Sequence, residues 1–502
     1  MQPSRYLAIA GTALLALAVV ACSPASAQQA PSPTQQVSPT ATLVVSPTAV
    51  PTAAVNYVGK LSLSPEHGPA GTSVTASGSG LPANSQFDLM WNTVKGSWKL
   101  EGQYNESFKG RVFQPQAIKM AAVTTDSTGA FQARFTVPDG FGFQHDVTLV
   151  QDGTIRNQAS FNVDMQVSIS PKSGPPGTPI TIEAKGVGWQ YLYNVWQVAY
   201  DNKLTGWMSS VTTGGDAKVV IPATGAPGTH LVQVMSGTPT FPYLNTQQSP
   251  TPDRPSFTLE FTVTDGPPVL PPPAEAQGFQ PEPATAPAAT AGPSLWTDLA
   301  SGRIGTPVTL HGQGLPAGQS LQLLWFRVVG NRMSGNGWDE KSTSLGTVTT
   351  KADGTFEFPF KALDDLGGPH RIEAQIDGKK VAQTVFTITP SALALDPSSG
   401  PVGTDFTVHL KGGGWTQTAN IYLLVYDNAY LGYACAFNSQ GDVTIHLPAA
   451  GSPGWHFIDL YPGIYMGSDV KGVENFRMPQ LTYQDHPGEK LPAFHFAFQV
   501  TK

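Results

Sequence analysis

The sequence predicts an all-β fold, a tandem array of four antiparallel β-sandwiches separated by Pro-rich segments. Three observations predict it. The 502 residues include 52 Gly and 45 Pro but only 13% charged residues, against about 25% in ordinary soluble domains, so turns and short extended runs dominate. Apolar and polar residues alternate at period two around Val74 and through Ile180-x-Ile182, Val308-x-Leu310 and Phe406-x-Val408, the period of a half-buried strand. A Gly-Thr, β-branched alternation, Gly-x-Gly signature recurs four times. Domains usually hold about 100–150 residues, so several cores are required. No amphipathic helix of three turns interrupts the pattern.

The signatures fall into two types. Gly71 to Gly78 and Gly305 to Gly312 are seven residues apart, whereas Gly177 to Gly186 and Gly403 to Gly412 are nine apart, giving the order A-B-A′-B′. An offset of 226 carries Pro171 to Pro397, Trp189 to Trp415, Tyr200 to Tyr426 and His230 to His456 without a gap, which establishes a duplication. The copies then diverge: 28 residues separate Gly463 from Pro492 in B′, and 17 separate Gly237 from Pro255 in B, so B′ carries 11 more. A and A′ match more loosely, through Leu81-Pro82-Ala83 with Leu315-Pro316-Ala317 and Trp91 with Trp325.

The opening Pro-x-x-Gly-Pro-x-Gly-Thr at Pro171 and Pro397, with Gly-x-Gly-Trp following, resembles the TIG (IPT) family of immunoglobulin-like domains of bacterial surface proteins. A has Gly-x-Gly-Leu in the same place, and A′ has Gly302-Arg303-Ile304-Gly305 where the prolines would stand. The resemblance covers all four repeats and implies a tandem array of four immunoglobulin-like β-sandwiches. It implies a fold rather than an activity. Expected boundaries are 57–164 for A, 165–265 for B, 294–389 for A′ and 390–502 for B′.

Residues 1–22 read as an export signal, with Arg5 as the basic n-region and an apolar run over 7–20 too short to span a bilayer. Its end, Val19-Val20-Ala21-Cys22, resembles the lipobox of bacterial lipoproteins, which implies diacylation of Cys22 and a membrane anchor facing the exterior. The alternative is ordinary cleavage after Ala25-Ser26-Ala27, which makes the protein secreted. Either way only Cys435 remains, so no disulfide framework holds the fold. Its setting in Tyr433-Ala434-Cys435-Ala436-Phe437 suggests a small core residue. Residues 23–56 are Ser, Pro, Ala, Gln, Thr and Val almost throughout, a tether that buries no core. The Pro/Ala-rich stretch 266–293 reads as a spacer, about 80 Å long as polyproline II, that divides the body into independent halves.

A net charge of -7 excludes a general affinity for nucleic acid, which needs a basic surface. There is no His-Glu-x-x-His, Gly-x-Ser-x-Gly, Cys-x-x-Cys or phosphate-cradling loop, and no carboxylate pair stands out as a glycosidase would need. A non-enzymatic protein without cofactor or metal is expected. His145, His230, His370 and His456 recur before a late strand in A and B repeats alike, which suggests scaffold rather than catalysis. Tyr200-Asp201-Asn202 and Tyr426-Asp427-Asn428 read as hairpin turns, a cation site being the alternative. The B′ insertion, 464–491, with Tyr461 just before it, is the candidate ligand-binding region: Tyr461, Tyr465, Phe476, Tyr483, Asp485 and His486 combine flat rings with polar groups, as glycan and protein sites do. Two functions follow: adhesion to a surface glycan or protein, or a passive envelope spacer.

Overall fold

The computed structural model describes residues 57–502, apart from 102–106, 237–241, 243, 249–253, 289–291, 331–337, 465–476 and 489–490. Cys22, both N-terminal segments, Tyr465 and Phe476 therefore lie outside the described residues.

Its eight sheets divide between the repeats, a three-stranded sheet facing a larger one in each. In A, Lys60–Ser64, Ser73–Ser79 and Phe131–Thr136 face a sheet of His67–Gly68, Thr154–Val163, Phe143–Gln151, Gln86–Glu101 and Ser107–Thr124. B has Gln166–Ser170, Pro179–Lys185 and Ala217–Pro222 against Ser173–Gly174, Phe257–Val263, Gly228–Ser236, Trp196–Tyr200 and Lys203–Met208. A′ and B′ repeat these arrangements. In every repeat the chain leaves the small sheet early and pairs in parallel with the last strand of the large one, as His67 with Asn162 and Ser173 with Thr262. That crossover ties the two sheets together, as in an immunoglobulin-like sandwich.

The alternation read from the sequence supplies each core. Ser73–Ser79 and Pro179–Lys185 bury every second residue, Val74 and Ala76 in one and Ile180, Ile182 and Ala184 in the other. A large ring fills the centre of each sandwich: Trp91, Trp196, Trp325 or Tyr422. The Tyr-Asp-Asn hairpins are tight turns in which both polar residues are left-handed, at φ 50° and 62° for Asp201 and Asn202 and 47° and 60° for Asp427 and Asn428. Asp and Asn tolerate that conformation, and two-residue hairpins require it.

The four histidines are clamps. In B and B′ the imidazole Nδ1 lies 2.6 Å from Asp201 and 2.5 Å from Asp427, fixing the turn carboxylate, whose other oxygen accepts from the backbone N–H of Leu231 or Phe457. In A and A′ both ring nitrogens meet backbone carbonyls, those of Asn92 and Phe141 for His145 and those of Phe326 and Leu366 for His370. Burial still holds the His145 pKa below its ordinary value, although both carbonyls favour the charged ring.

Each A-to-B joint is built the same way. Gly142 bridges Gly188, and Gly367 bridges Gly414. A side chain is excluded there, since a Cβ would come within 1.7 Å of the Gly186 carbonyl in the first joint and 1.8 Å of the Gly412 carbonyl in the second. The Trp of Gly-x-Gly-Trp then covers the histidine of the preceding repeat, at 4.6 Å between Trp189 and His145 and 5.6 Å between Trp415 and His370.

Three expectations are corrected. The halves are not independent, because Val425, Tyr461, Leu481 and Ala493 of B′ belong to the core that contains Ile180, Trp196 and Phe261 of B. Within the expected spacer 266–293, residues 269–283 form a strap rather than a free spacer. The Val269 N–H donates to the Pro176 carbonyl, Ala274 enters the B′ core, Gln277 exchanges two hydrogen bonds with the His495 backbone, and Glu282–Pro283 adds to the large sheet of A′. Uncharged Pro and Ala lose little side-chain entropy on docking, which suits them to such a role. Cys435 is exposed, at the end of the edge strand Ala429–Cys435 where Leu431 and Tyr433 are exposed as well.

Candidate functional site

The edge strand of B, Lys203–Met208, brings together the parts that distinguish this array. An edge strand leaves main-chain groups unpaired and needs cover. The B′ insertion supplies it: the Trp207 N–H donates to the Pro479 carbonyl at 2.8 Å and the Leu481 N–H to the Trp207 carbonyl at 2.8 Å. The insertion thereby adds a short extended segment to the B sheet, the mode by which peptides augment sheet edges. The Trp207 indole N–H, fully buried, donates to the Met478 carbonyl at 3.1 Å.

Asp485 locks this arrangement from within a short 3-10 turn, Tyr483–Asp485. Its carboxylate, 1% exposed, accepts from the Ser209 hydroxyl at 2.6 Å, the Val211 N–H at 2.8 Å, the Thr212 N–H at 2.7 Å and the Thr212 hydroxyl. A buried carboxylate satisfied by that many donors is fixed in place. Over the same point lies the long hairpin of A, Gln86–Glu101 with Ser107–Thr124. The Trp98 indole donates to the Asp485 carbonyl at 2.6 Å, and Phe108 is buried beside Val195, Trp207, Ile464 and Met478. The Phe108 N–H also donates to the Gln417 side chain of B′ at 2.7 Å.

The second contact is the hairpin turn of B′. Asn428, fully buried, donates to the Pro222 carbonyl at 2.8 Å, and its own carbonyl accepts from the Thr205 hydroxyl at 2.8 Å. Its counterpart Asn202 is exposed and meets only Gln233 of its own repeat. Replacing Asn428 with Gly is expected to cost about 1–2 kcal/mol, and Asn202→Gly under about 0.5 kcal/mol. Both substitutions suit the left-handed backbone, so urea unfolding of the pair isolates the contact across the seam; equal losses would show that the contact contributes nothing.

Four of the six candidate ligand residues thus face the protein itself. Tyr461 is fully buried, its hydroxyl 3.4 Å from the Val220 carbonyl of B. Tyr483 packs on the B core, and burial raises its phenol pKa. His486 is buried with Nε2 3.3 Å from the Gly463 carbonyl, and burial pushes its pKa down to about 4. Asp485 is the lock described above. In these four described residues the ring and polar groups are spent on partners within the chain. The residues that sequence reasoning missed are on the B side: Thr205, Trp207, Ser209 and Thr212. Beside the lock is a cleft of about 260 Å³ lined by Glu183, Lys185, Asp216, Lys218 and Gln484, where burial raises the Asp216 pKa. Among the described residues no three His, Cys, Asp or Glu side chains converge as metal ligands, and no helix is long and apolar enough to cross a membrane.

No protein-family model matches the chain, and no curated protein does. Solved structures that match the chain include Salmonella alpha-2-macroglobulin reacted with methylamine, at 11% identity and TM-score 0.19 over 89% of this chain and 31% of that one. The bacterial integrin-binding protein invasin is 12% identical with TM-score 0.17 over 88% of this chain and 79% of its own. The ICAM-5 D1–D4 ectodomain fragment is 12% identical with TM-score 0.18 over 88% and 99%. This chain spans less than a third of the alpha-2-macroglobulin. Superpositions this loose say nothing of ligand or activity.

Proposed function

We propose that this chain is a non-enzymatic surface lipoprotein, anchored through Cys22 and held off the membrane by residues 23–56, whose folded body binds a cell-surface glycan or protein. The observation that carries the reading is the seam between B and B′. A passive spacer gains reach by stringing sandwiches end to end, and docking B′ onto B gives that reach up. Fixing four sandwiches relative to one another instead yields a preorganised surface, which lowers the entropy lost on binding. The absence of catalytic motifs from the sequence supports a binding role over chemistry, and the TIG-like signature is in keeping with it.

The test pairs two measurements on the mature chain. Mass spectrometry of its N-terminus should find a diacylated Cys22; a chain beginning at Gln28 would make the protein secreted. Glycan arrays and a panel of purified surface proteins should then give saturable binding to one ligand class. Binding to none would leave the spacer role as the better account.

A further inference from the structure

The large sheet of each sandwich ends on an outer edge strand: Ser107–Thr124 in A, Lys203–Met208 in B, Trp338–Thr349 in A′ and Ala429–Cys435 in B′. An open edge invites a further strand, and charge, proline or cover prevents it. The A strand carries Lys109, Arg111, Pro115 and Lys119, the A′ strand carries Asp339, Glu340 and Lys341, and the B strand is covered by the insertion. In B′ the strand reads Ala-Tyr-Leu-Gly-Tyr-Ala-Cys, with neither charge nor proline. Leu431 and Tyr433, 57% and 45% accessible, and Cys435 are exposed along it.

The main chain of this edge is placed to pair. Leu423 stands opposite Tyr433 as Gln197 stands opposite Trp207, each position displaced by 226. Trp207 turns its N–H and carbonyl outward to the insertion, so the same register turns those groups of Tyr433 outward. Among the described residues the backbone of 431–433 makes no hydrogen bond beyond Ile421–Tyr426. A Cβ at Gly206 would come within 2.4 Å of the Pro479 carbonyl, whereas one at Gly432 meets nothing within 4 Å. Arg477 stacks on the Tyr433 ring and donates to its hydroxyl at 3.1 Å, so its charge is engaged at the ring.

We infer that Ala429–Cys435 is a docking edge for the same strand of a second copy of this chain, paired antiparallel about a two-fold axis at Tyr433. A two-fold contact must be self-complementary. This strand meets that demand, because Leu431 and Cys435 stand symmetrically about Tyr433. The axis sets Tyr433 against its own copy, each N–H donating to the other carbonyl, and sets Leu431 against Cys435. Uncharged strands approach without repulsion. The pairing is independent of the adhesive reading above.

Sedimentation velocity of the full chain tests the inference, with Cys22→Ser so that no lipid gathers the copies and with reductant so that Cys435 stays a thiol. Expected is a monomer–dimer equilibrium in the micromolar range, with slower amide hydrogen exchange over 431–435 in the dimer. Tyr433→Lys and Tyr433→Glu each set like charges face to face and should raise the dimer dissociation constant at least about tenfold. Mixing the two variants should restore the dimer. Leu431→Lys, at the more exposed position, should weaken it as well, and the monomers should keep the melting temperature of the parent. Val402→Lys, exposed outside this strand, should change nothing. A chain monomeric at every concentration, a dimer untouched by Tyr433→Lys, or charge variants that do not recombine would each overturn the pairing.

Discussion

Asp485→Ala is expected to destabilise the 57–502 body by about 3–5 kcal/mol, a loss typical of breaking a buried, multiply bonded carboxylate site. The substitution removes four acceptor contacts at once. It leaves the Val211 and Thr212 N–H groups and the Ser209 hydroxyl facing a small cavity under the A hairpin. An unsatisfied buried donor costs about 1–3 kcal/mol each, with partial relief as water enters. Asp485→Asn should fall between wild type and alanine, because one amide oxygen still accepts while the amide nitrogen opposes a backbone donor. Trp98 and Trp207 flank the site, so tryptophan fluorescence in urea follows its opening. A midpoint unchanged in Asp485→Ala would mean that the lock holds nothing.

Acid is the second large effect expected. The His486 pKa is about 4 in the fold, against about 6.5 in an unfolded chain. The ring is neutral in the folded protein, and the unfolded chain takes up its proton first as the pH falls. Stability present above pH 6.5 is therefore lost between about 6.5 and 4, by about 3 kcal/mol at the lower end. His145, lowered by burial, acts in the same direction. His456 opposes them: its hydrogen bond to Asp427 raises its pKa, so its contribution is full below 6.5 and fades as the pH climbs through the raised value. The net expectation is a seam that weakens in mild acid, seen as a lower urea midpoint at pH 4.5 than at pH 7. In His486→Gln that difference should shrink by about half or more, since the largest shift is gone. An identical pH dependence in the variant would place the acid sensitivity elsewhere.

The sandwiches, their duplication and the hairpin turns were legible because each rests on local chemistry repeated along the chain. Period-two alternation marks one buried face, and Asp-Asn marks a left-handed turn wherever it stands. The seam is different in kind. Thr205, Asn428 and Asp485 are ordinary polar residues whose partners lie more than 200 positions away, and no periodicity reports such a pairing. The insertion showed the composition of an interface, but composition does not say whether the partner is another molecule or the same chain. One signal was present. Trp196–Tyr200 and Ile421–Tyr426 do not alternate: the first buries all five residues and the second buries five of six. Ile421–Tyr426 has no strongly polar residue at any position, and such a run belongs to a strand covered on both sides; in these repeats the second cover is the other half. The strap was misread because proline content specifies backbone conformation while leaving open what the backbone lies against.

The two kinds of contact also carry a chronology. The glycine bridge and the indole over the imidazole occur in both A-to-B joints, whereas the seam joins B to B′ once. A feature present in both copies predates the copying, and a feature present in one follows it or was lost from the other. The ancestor was therefore a two-sandwich protein with its joint already formed. The lengthened loop that joins the copies stands in one of them alone, so it either followed the copying or was lost from the other half.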